Sequence, residues 1–484
     1  MTISGALSNA MSGLRAAGRG AELVSSNISN ALTPGYGRRE LSLSSSSIGT
    51  YGGVQVNGIN RIVDAGLASD RRLADAEHGY ASLSADFFAR IESLLGTPDN
   101  PASLSVQLSG FESSLITAAS RPDAPERLSS AVADARGLVN RIGEASAGVQ
   151  DARSKADQTI ANQVKELNGA LLQVQALNSQ ITAAQVQNGN VPALLDQRQQ
   201  VVDQIGILVP VREVPRDNGQ IALYTTGGAV LIDGTAATVG FDAVNLVTPY
   251  MSQSAGSLSG LTLNGQAIRT DSENGALRGG AIGAQFAIRD EQGVEVQTQL
   301  DAIARDLVER FQDPSVDSTL SPGDPGLFTD NGSAFNPLDE VGLSERLALN
   351  AAVDPDQGGQ AWRLRDGMNA TTTGNVGDAS LLQSLTSALN NARTPASGSF
   401  GGGAFSAINL VSTFMSAVGA DRTQAEQTLS YASARLSELT ERQLADGVDS
   451  DDEIARLMVI EQAYAANARV IEAVDEMMQT MLRL

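Results

Sequence analysis

The spacing of apolar residues over the first thirty positions constrains this chain most. Ile3, Leu7, Ala10, Leu14, Ala17, Ala21, Val24 and Ile28 recur at alternating intervals of four and three. That is the seam of a coiled-coil-like helix. It runs into Ser26-Asn27-Ile28-Ser29-Asn30-Ala31-Leu32-Thr33-Pro34-Gly35-Tyr36. There, small polar residues and Pro-Gly predict a helix end and a turn. Gly5, Gly13, Gly18 and Gly20 lie in or near the helix. Each interior Gly costs about 1 kcal/mol relative to Ala, roughly 3–4 kcal/mol together. An isolated helix cannot absorb that. This end is expected to be ordered only when packed, with small residues that admit a close partner.

The other end of the chain supplies a candidate partner. Residues 451–484 contain neither Gly nor Pro. Ser450 and Glu453 read as a capping box, Ser450 at the N-cap and Glu453 at the third helical position. Two apolar tracks follow. One is Ile454, Leu457, Tyr464, Ala468, Ile471, Met478 and Leu482, interrupted by Glu461 and Asp475. The other is Ile460, Ala463, Val470, Val474, Met477, Met481 and Leu484, interrupted by Asn467. An amphipathic helix closing a bundle needs one such face, whereas a helix sandwiched between neighbours needs two.

The run from Ser26 to Tyr36, on an N-terminal heptad helix, resembles the signature of the axial proteins of the bacterial flagellum: rod, hook and hook-associated proteins. Asn27, Asn30, Thr33, Pro34, Gly35 and Tyr36 carry it. The tail Gln462-Ala463-Tyr464-Ala465-Ala466-Asn467-Ala468-Arg469-Val470-Ile471, then Asp475-Glu476-Met477, resembles the C-terminal signature of the same family, with Asn467 and Ala468 inside it. The middle is similar to the hook-associated branch. The block Leu194-Leu195-Asp196-Gln197-Arg198-Gln199-Gln200-Val201-Val202, then Ile205 and Val209-Pro210-Val211, carries that likeness. So do Glu273-Asn274-Gly275, Gly279-Gly280 and residues 347–355. At motif level the resemblance covers most of the chain.

The resemblance implies a structural subunit between flagellar hook and filament. It implies type III export to an extracellular place on the flagellum and self-association in a tube. It also implies contacts with the hook protein and a second hook-associated junction protein, and an export chaperone holding the C-terminal helix. No cofactor, metal or catalytic residue is implied. The expected assembly seam is Ile3, Leu7, Leu14, Val24, Ile28, Ile454, Leu457, Tyr464, Ile471, Val474, Met478 and Leu482. A hook or distal-rod protein is the alternative within the family, and the long helical middle argues against it.

Composition sets outer limits. The 484 residues suffice for two to four domains, and 42% hydrophobic residues allow real cores. Aromatics, at 4%, are few, so Leu, Val, Ile and Ala must fill those cores. The absence of Cys removes disulfides and thiolate chemistry. The N-terminus lacks the basic and apolar regions of a cleaved secretory signal. A net charge of −22 argues against nucleic acid or an anionic membrane as partner.

The fold class read from the chain is mainly α, with nested discontinuous helical domains. Paired terminal coiled-coil-like helices (1–60 and 445–484) form an assembly domain. A long-helix bundle (61–210 and 276–444) encloses a β-rich subdomain (211–275). Helical patterns run from Arg61 to about Leu95, on to about Ser120, and from Pro125 to about Asn188. Asn178 sits at one seam position of the last, where burial and exposure are both open readings. Val211-Arg212-Glu213-Val214 and Ile221-Ala222-Leu223-Tyr224 flank Asp217-Asn218-Gly219, a hairpin signal. The Pro/Gly/Asp-rich stretch 312–342 reads as a long loop where family members carry a larger outer domain.

Catalytic patterns are missing. His78 is the only histidine and reads as a surface helix residue. Neither lysine follows a glycine, so there is no Walker A loop. Asp449, Asp451, Asp452 and Glu453 lack EF-hand spacing and instead place favourable charge at a helix N-terminus. The alternative of another class is an exported wall-degrading enzyme with axial-type ends. It would need a carboxylate pair in a cleft of the middle domain.

Overall fold

The computed structural model describes residues 3–33, 35–45, 52–97, 99–187 and 191–483. Among these the chain is mainly helical, with small antiparallel sheets. Helix α1 (Ile3–Ser29) leads into strands β1 (Arg38–Ser45) and β2 (Val54–Ile62). Four helices follow: α2 (Ala65–Leu95), α3 (Leu104–Ser120), α4 (Pro125–Val186) and α5 (Val191–Leu208). Then come β3 (Val211–Pro215), β4 (Ile221–Thr225), β5 (Val230–Asp233), β6 (Thr235–Ala236), β7 (Val239–Gly240), β8 (Leu261–Leu263) and β9 (Gln266–Ile268). Helix α6 (Gly280–Ala287) passes through a π-turn into α7 (Gly293–Phe311). The remainder is β10 (Phe328–Asp330), α8 (Leu343–Arg346), β11 (Leu347–Leu349), α9 (Arg363–Asp366), α10 (Ser380–Asn390), α11 (Ala407–Ala445) and α12 (Ser450–Arg483).

Short polar side chains start these helices by accepting from free backbone N–H groups. Asp64 accepts from Gly66 and Leu67 at 2.8 and 3.0 Å ahead of α2. Ser103 caps α3 through Val106 N. At α12 the cap differs from the expected box. Asp449, not Ser450, accepts from Asp451 N (2.8 Å) and Asp452 N (3.3 Å). Glu453 is thereby released from capping and used elsewhere.

The chain divides into two compact units. The first comprises residues 1–78, 166–238 and 432–484, the second residues 79–165 and 239–431. The boundary falls inside α2, α4 and α11. The predicted β-rich subdomain 211–275 is not one body. The sheet β3-β4-β5-β6 belongs to the first unit, and β7-β8-β9 to the second. Anchoring explains the split. Asn178 and Gln175, late in α4, bind Ile221 O (2.9 Å) and Ala236 N (2.6 Å). Asp157 and Ser154, earlier in α4, bind Val244 N (2.6 Å) and Val247 N (2.9 Å). Asn178 itself is buried.

The hairpin β1–β2 is a further correction, because residues 1–60 read as helical and Arg61 as a helix start. Its signal was period-two alternation, with Leu41, Leu43, Val54 and Val56 separated by polar residues. The second unit holds a closed core in which Phe111, Phe311 and Phe328 pack edge to face or tilted at 5.1–6.2 Å. Phe328 lies in the stretch read as a long loop. There, β10 pairs with β11, and Leu320, Leu327 and Phe335 are also buried. Phe328→Ala is expected to destabilise the second unit by about 3–5 kcal/mol in urea unfolding. A surface-loop residue would give well under about 1 kcal/mol.

Candidate functional site: the paired terminal helices and their clamp

Helices α1 and α12 pack antiparallel along their lengths. Three points fix the register. A methyl at Gly13 would lie 2.8 Å from the Asn467 amide, and one at Gly20 would lie 3.1 Å from Ile460 Cδ1. Asn27 Nδ2 donates to Glu453 Oε2 at 3.0 Å. Each step is seven residues on both helices, the heptad of an antiparallel pair. Buried Ala10, Ala17 and Val24 on α1 complete the same strip.

The observed face is rotated by one residue from the expected seam. Gly13, Gly20 and Asn27 meet α12, while Leu14, Ala21 and Ile28 are only half-buried, as are Ile3 and Leu7. Glycine at the contact leaves room for the Asn467 amide and the Ile460 side chain of α12. Gly18 has no such reason, since nothing lies within 4 Å of a methyl added there. Gly18→Ala should therefore raise stability by about 0.5–1 kcal/mol. Gly13→Ala should gain less, because Asn467 must move to admit the methyl. Thermal melts of the two variants, with Gly18→Ala the more stable, would check this.

On α12 the inner face is the second track: Ile460, Asn467 and Val474, in line with Glu453. Only Glu453 and Val474 are fully buried on the whole helix. Asn467 bonds its own helix, donating to Ala463 O at 2.8 Å. Ala468 is half-buried. The first track stays open: Ile454, Tyr464, Met478 and Leu482 are exposed, and Leu457 and Ile471 half-buried.

The turn after α1 is tied by a polar knot around Asn27. Its side-chain amide pairs with the backbone of Arg39, accepting from Arg39 N (3.0 Å) and donating to Arg39 O (2.9 Å). Oδ1 also accepts from Tyr36 Oη at 2.9 Å. All four bonding capacities of the amide are filled, as a buried amide requires. Buried Glu453 accepts from Arg38 Nε at 2.8 Å as well. The Arg39 guanidinium lies over the Tyr36 ring at 4.8 Å. Asn30 donates to Ser26 O, and Thr33 Oγ1 donates to Asn30 Oδ1. Gly35 has φ +76°, and a side chain there would strike Gln200. Pro34 lies outside the described residues. Asn27→Asp should cost about 3–5 kcal/mol, since it sets a second carboxylate against Glu453 and removes two donors. Urea unfolding of the full chain would read the loss.

The block 194–202 forms a clamp on this assembly, a role that sequence reasoning missed. On α5, Asp196 accepts from Gly37 N (3.0 Å), Arg39 Nη2 (2.9 Å) and Arg61 Nε (2.6 Å). It thereby holds the base of the hairpin from both strands. Arg198 reaches Asn178 Oδ1 (2.9 Å) and Gly219 O (2.6 Å). Burial tends to lower its pKa, and Glu213 opposes that shift. Asp203 pairs with Arg71 and with buried Arg72. One helix thus docks the hairpin, the end of α4 and the start of α2. The arginines 39, 61, 71 and 72 were the available signal, four cations in search of carboxylates.

Helices from the two ends of the chain, paired in register with an outward apolar track, define a class of axial polymer subunit. Two family models match. Residues 88–324 match the flagellar hook-associated protein FlgK helical domain, and residues 445–484 match the C-terminal region of flagellar basal body rod FlgEFG proteins. The chain is similar to flagellar hook-associated protein 1 of Escherichia coli K12, 24% identical across 100% of both chains. Its likeness to the protein of that name from Bacillus subtilis 168 is 23%, over 95% of this chain and 94% of that one. The FlgK hook junction protein structure from Burkholderia pseudomallei aligns with a TM-score of 0.46 and 22% identity, over 55% of this chain and 47% of that one. The chain belongs to the FlgK family of flagellar hook-associated proteins, and is a structural protein of the bacterial flagellum.

Proposed function

We propose that this chain builds the junction between hook and filament, and that its terminal helices complete their packing only in the assembled tube. One observation carries the reading: α12 buries just Glu453 and Val474 of its 34 residues, yet exposes Ile454, Val459, Tyr464, Met477 and Leu482. A helix with so much open apolar surface is stabilised by neighbours. The half-buried residues Ile3, Leu7, Leu14 and Ile28, with Leu457 and Ile471, extend the seam offered to other copies. Val24 and Val474 hold the pair within one subunit.

The neighbours are further copies of the chain, the hook protein on one side and the second hook-associated junction protein on the other. An export chaperone covers the C-terminal helix before assembly, and the subunit acts outside the cell on the flagellum. The protein works by packing rather than by catalysis. Turnover of peptidoglycan by the purified chain, lost on replacing an Asp or Glu, would favour the hydrolase reading instead.

Amide hydrogen exchange on the purified monomer is the test. Faster exchange in α1 and α12 than through the second unit is expected, because the pair forms in the monomer but opens readily. Slow exchange throughout α1 and α12 would mean that the pair is already complete. Leu457→Asp should leave the second unit folded and exclude the chain from flagella, because it buries an unpaired charge on assembly. Normal incorporation of this variant would show that Leu457 faces solvent in the tube.

A further inference from the structure

The register of the helix pair leaves the two ends of α12 unlike. Extended along α1, it sets Ile3 opposite Met477. Beyond that point α12 continues from Met478 to Arg483 with no described residue of α1 across from it. This tail carries three open apolar side chains, Met478, Met481 (55% exposed) and Leu482 (88% exposed). Methionine is the side chain that best adapts to an irregular partner.

At the other end of the pair, α1, β1 and α12 enclose a groove of about 570 Å³. Its lining is part apolar, with Leu41, Val459 and Ile460, and part charged, with Glu40, Asp452 and Arg456. The tail of the same chain cannot reach it. From Val459 to Leu482 a straight helix spans roughly 35 Å. Only another molecule can bring such a tail to such a groove. The charges agree with a head-to-tail meeting: α12 has Asp451 and Asp452 in its first turn and Arg483 in its last. Opposite helix-dipole ends would also meet.

We propose that the α12 tail of one copy, Met477 to Leu482, seats in the groove of the next, with Arg483 directed to Asp452. This deepens the assembly reading and rests on it, naming which surfaces of two copies join. The contact is heterologous, so it repeats from copy to copy, as a ring where the rotation closes and as a helical array where it does not.

The chain has no cysteine, so introduced thiols report alone. Flagella would be isolated from cells carrying the Leu482→Cys/Val459→Cys chain and treated with a short bis-maleimide. A ladder of dimers, trimers and larger species is expected, with neither single variant cross-linking alone. Flagella that contain the double variant yet yield only monomer would overturn the contact. Cross-links from Leu482→Cys alone would do so too, because they mean like-with-like pairing. If the double variant is not incorporated, the two single variants co-expressed with the parental chain test the same contact. Absence of their heterodimer band from flagella containing both also overturns it. Absence of the parental chain from flagella would instead remove the assembly reading itself.

Discussion

The approach of α1 to α12 at Gly13 and Gly20 is the constraint from which the first unit is built. Asn467 and Ile460 of α12 fill the space at those two positions, in the same register that brings Asn27 to Glu453. Asn27, so placed, pairs with the backbone of Arg39 and fixes the first strand of the hairpin. The hairpin then carries Arg39 and Arg61 to Asp196 on α5. Each element depends on the one before it. The polar contacts are individually modest in water but sit where burial makes an unpaired group costly.

The two units differ in how far their packing is finished. The second has a contiguous apolar core running from Phe87 to Val418, with aromatic rings at its centre. The first also buries apolar residues, such as Leu171, Val202, Ile205, Leu223 and Ile232, but leaves apolar surface outside on α12 and on the hairpin, where Leu43, Ile59 and Ile62 are exposed. A two-stranded hairpin with open apolar residues is marginal in isolation. That imbalance suits a subunit whose body folds once and whose ends are completed by association.

Much of this was legible in the sequence, and the failures have physical causes. Long helices with strong periodicity, such as α4 and α11, were plain. The exact face of α1 was not, because an apolar count favours Leu14 and Ile28 over Gly13 and Asn27. The Asn467 and Ile460 side chains and buried Glu453 select the small and the hydrogen-bonding residue instead. Ser450 was a reasonable cap, but Asp449 precedes it, and Glu453 had a stronger claim from Arg38. The hairpin escaped notice because β1 runs out in serines and β2 is broken by Asn57-Gly58 and Asn60-Arg61, so neither strand is a continuous apolar run. The clamp on α5 was visible only as a family block, since no spacing rule links Asp196 to arginines more than a hundred residues earlier.

The contact between Asn27 and Glu453 joins residues 426 positions apart. Closing a loop of that size carries an entropic cost that grows only slowly with length, but it has a consequence for order in time. The second unit can form from its own two segments, whereas the first has to wait for the last part of the chain to arrive. Until then α1 carries its glycines without a partner and stays unfolded. In a chain that emerges from its N-terminus, the final segment to emerge is the one that completes the first unit.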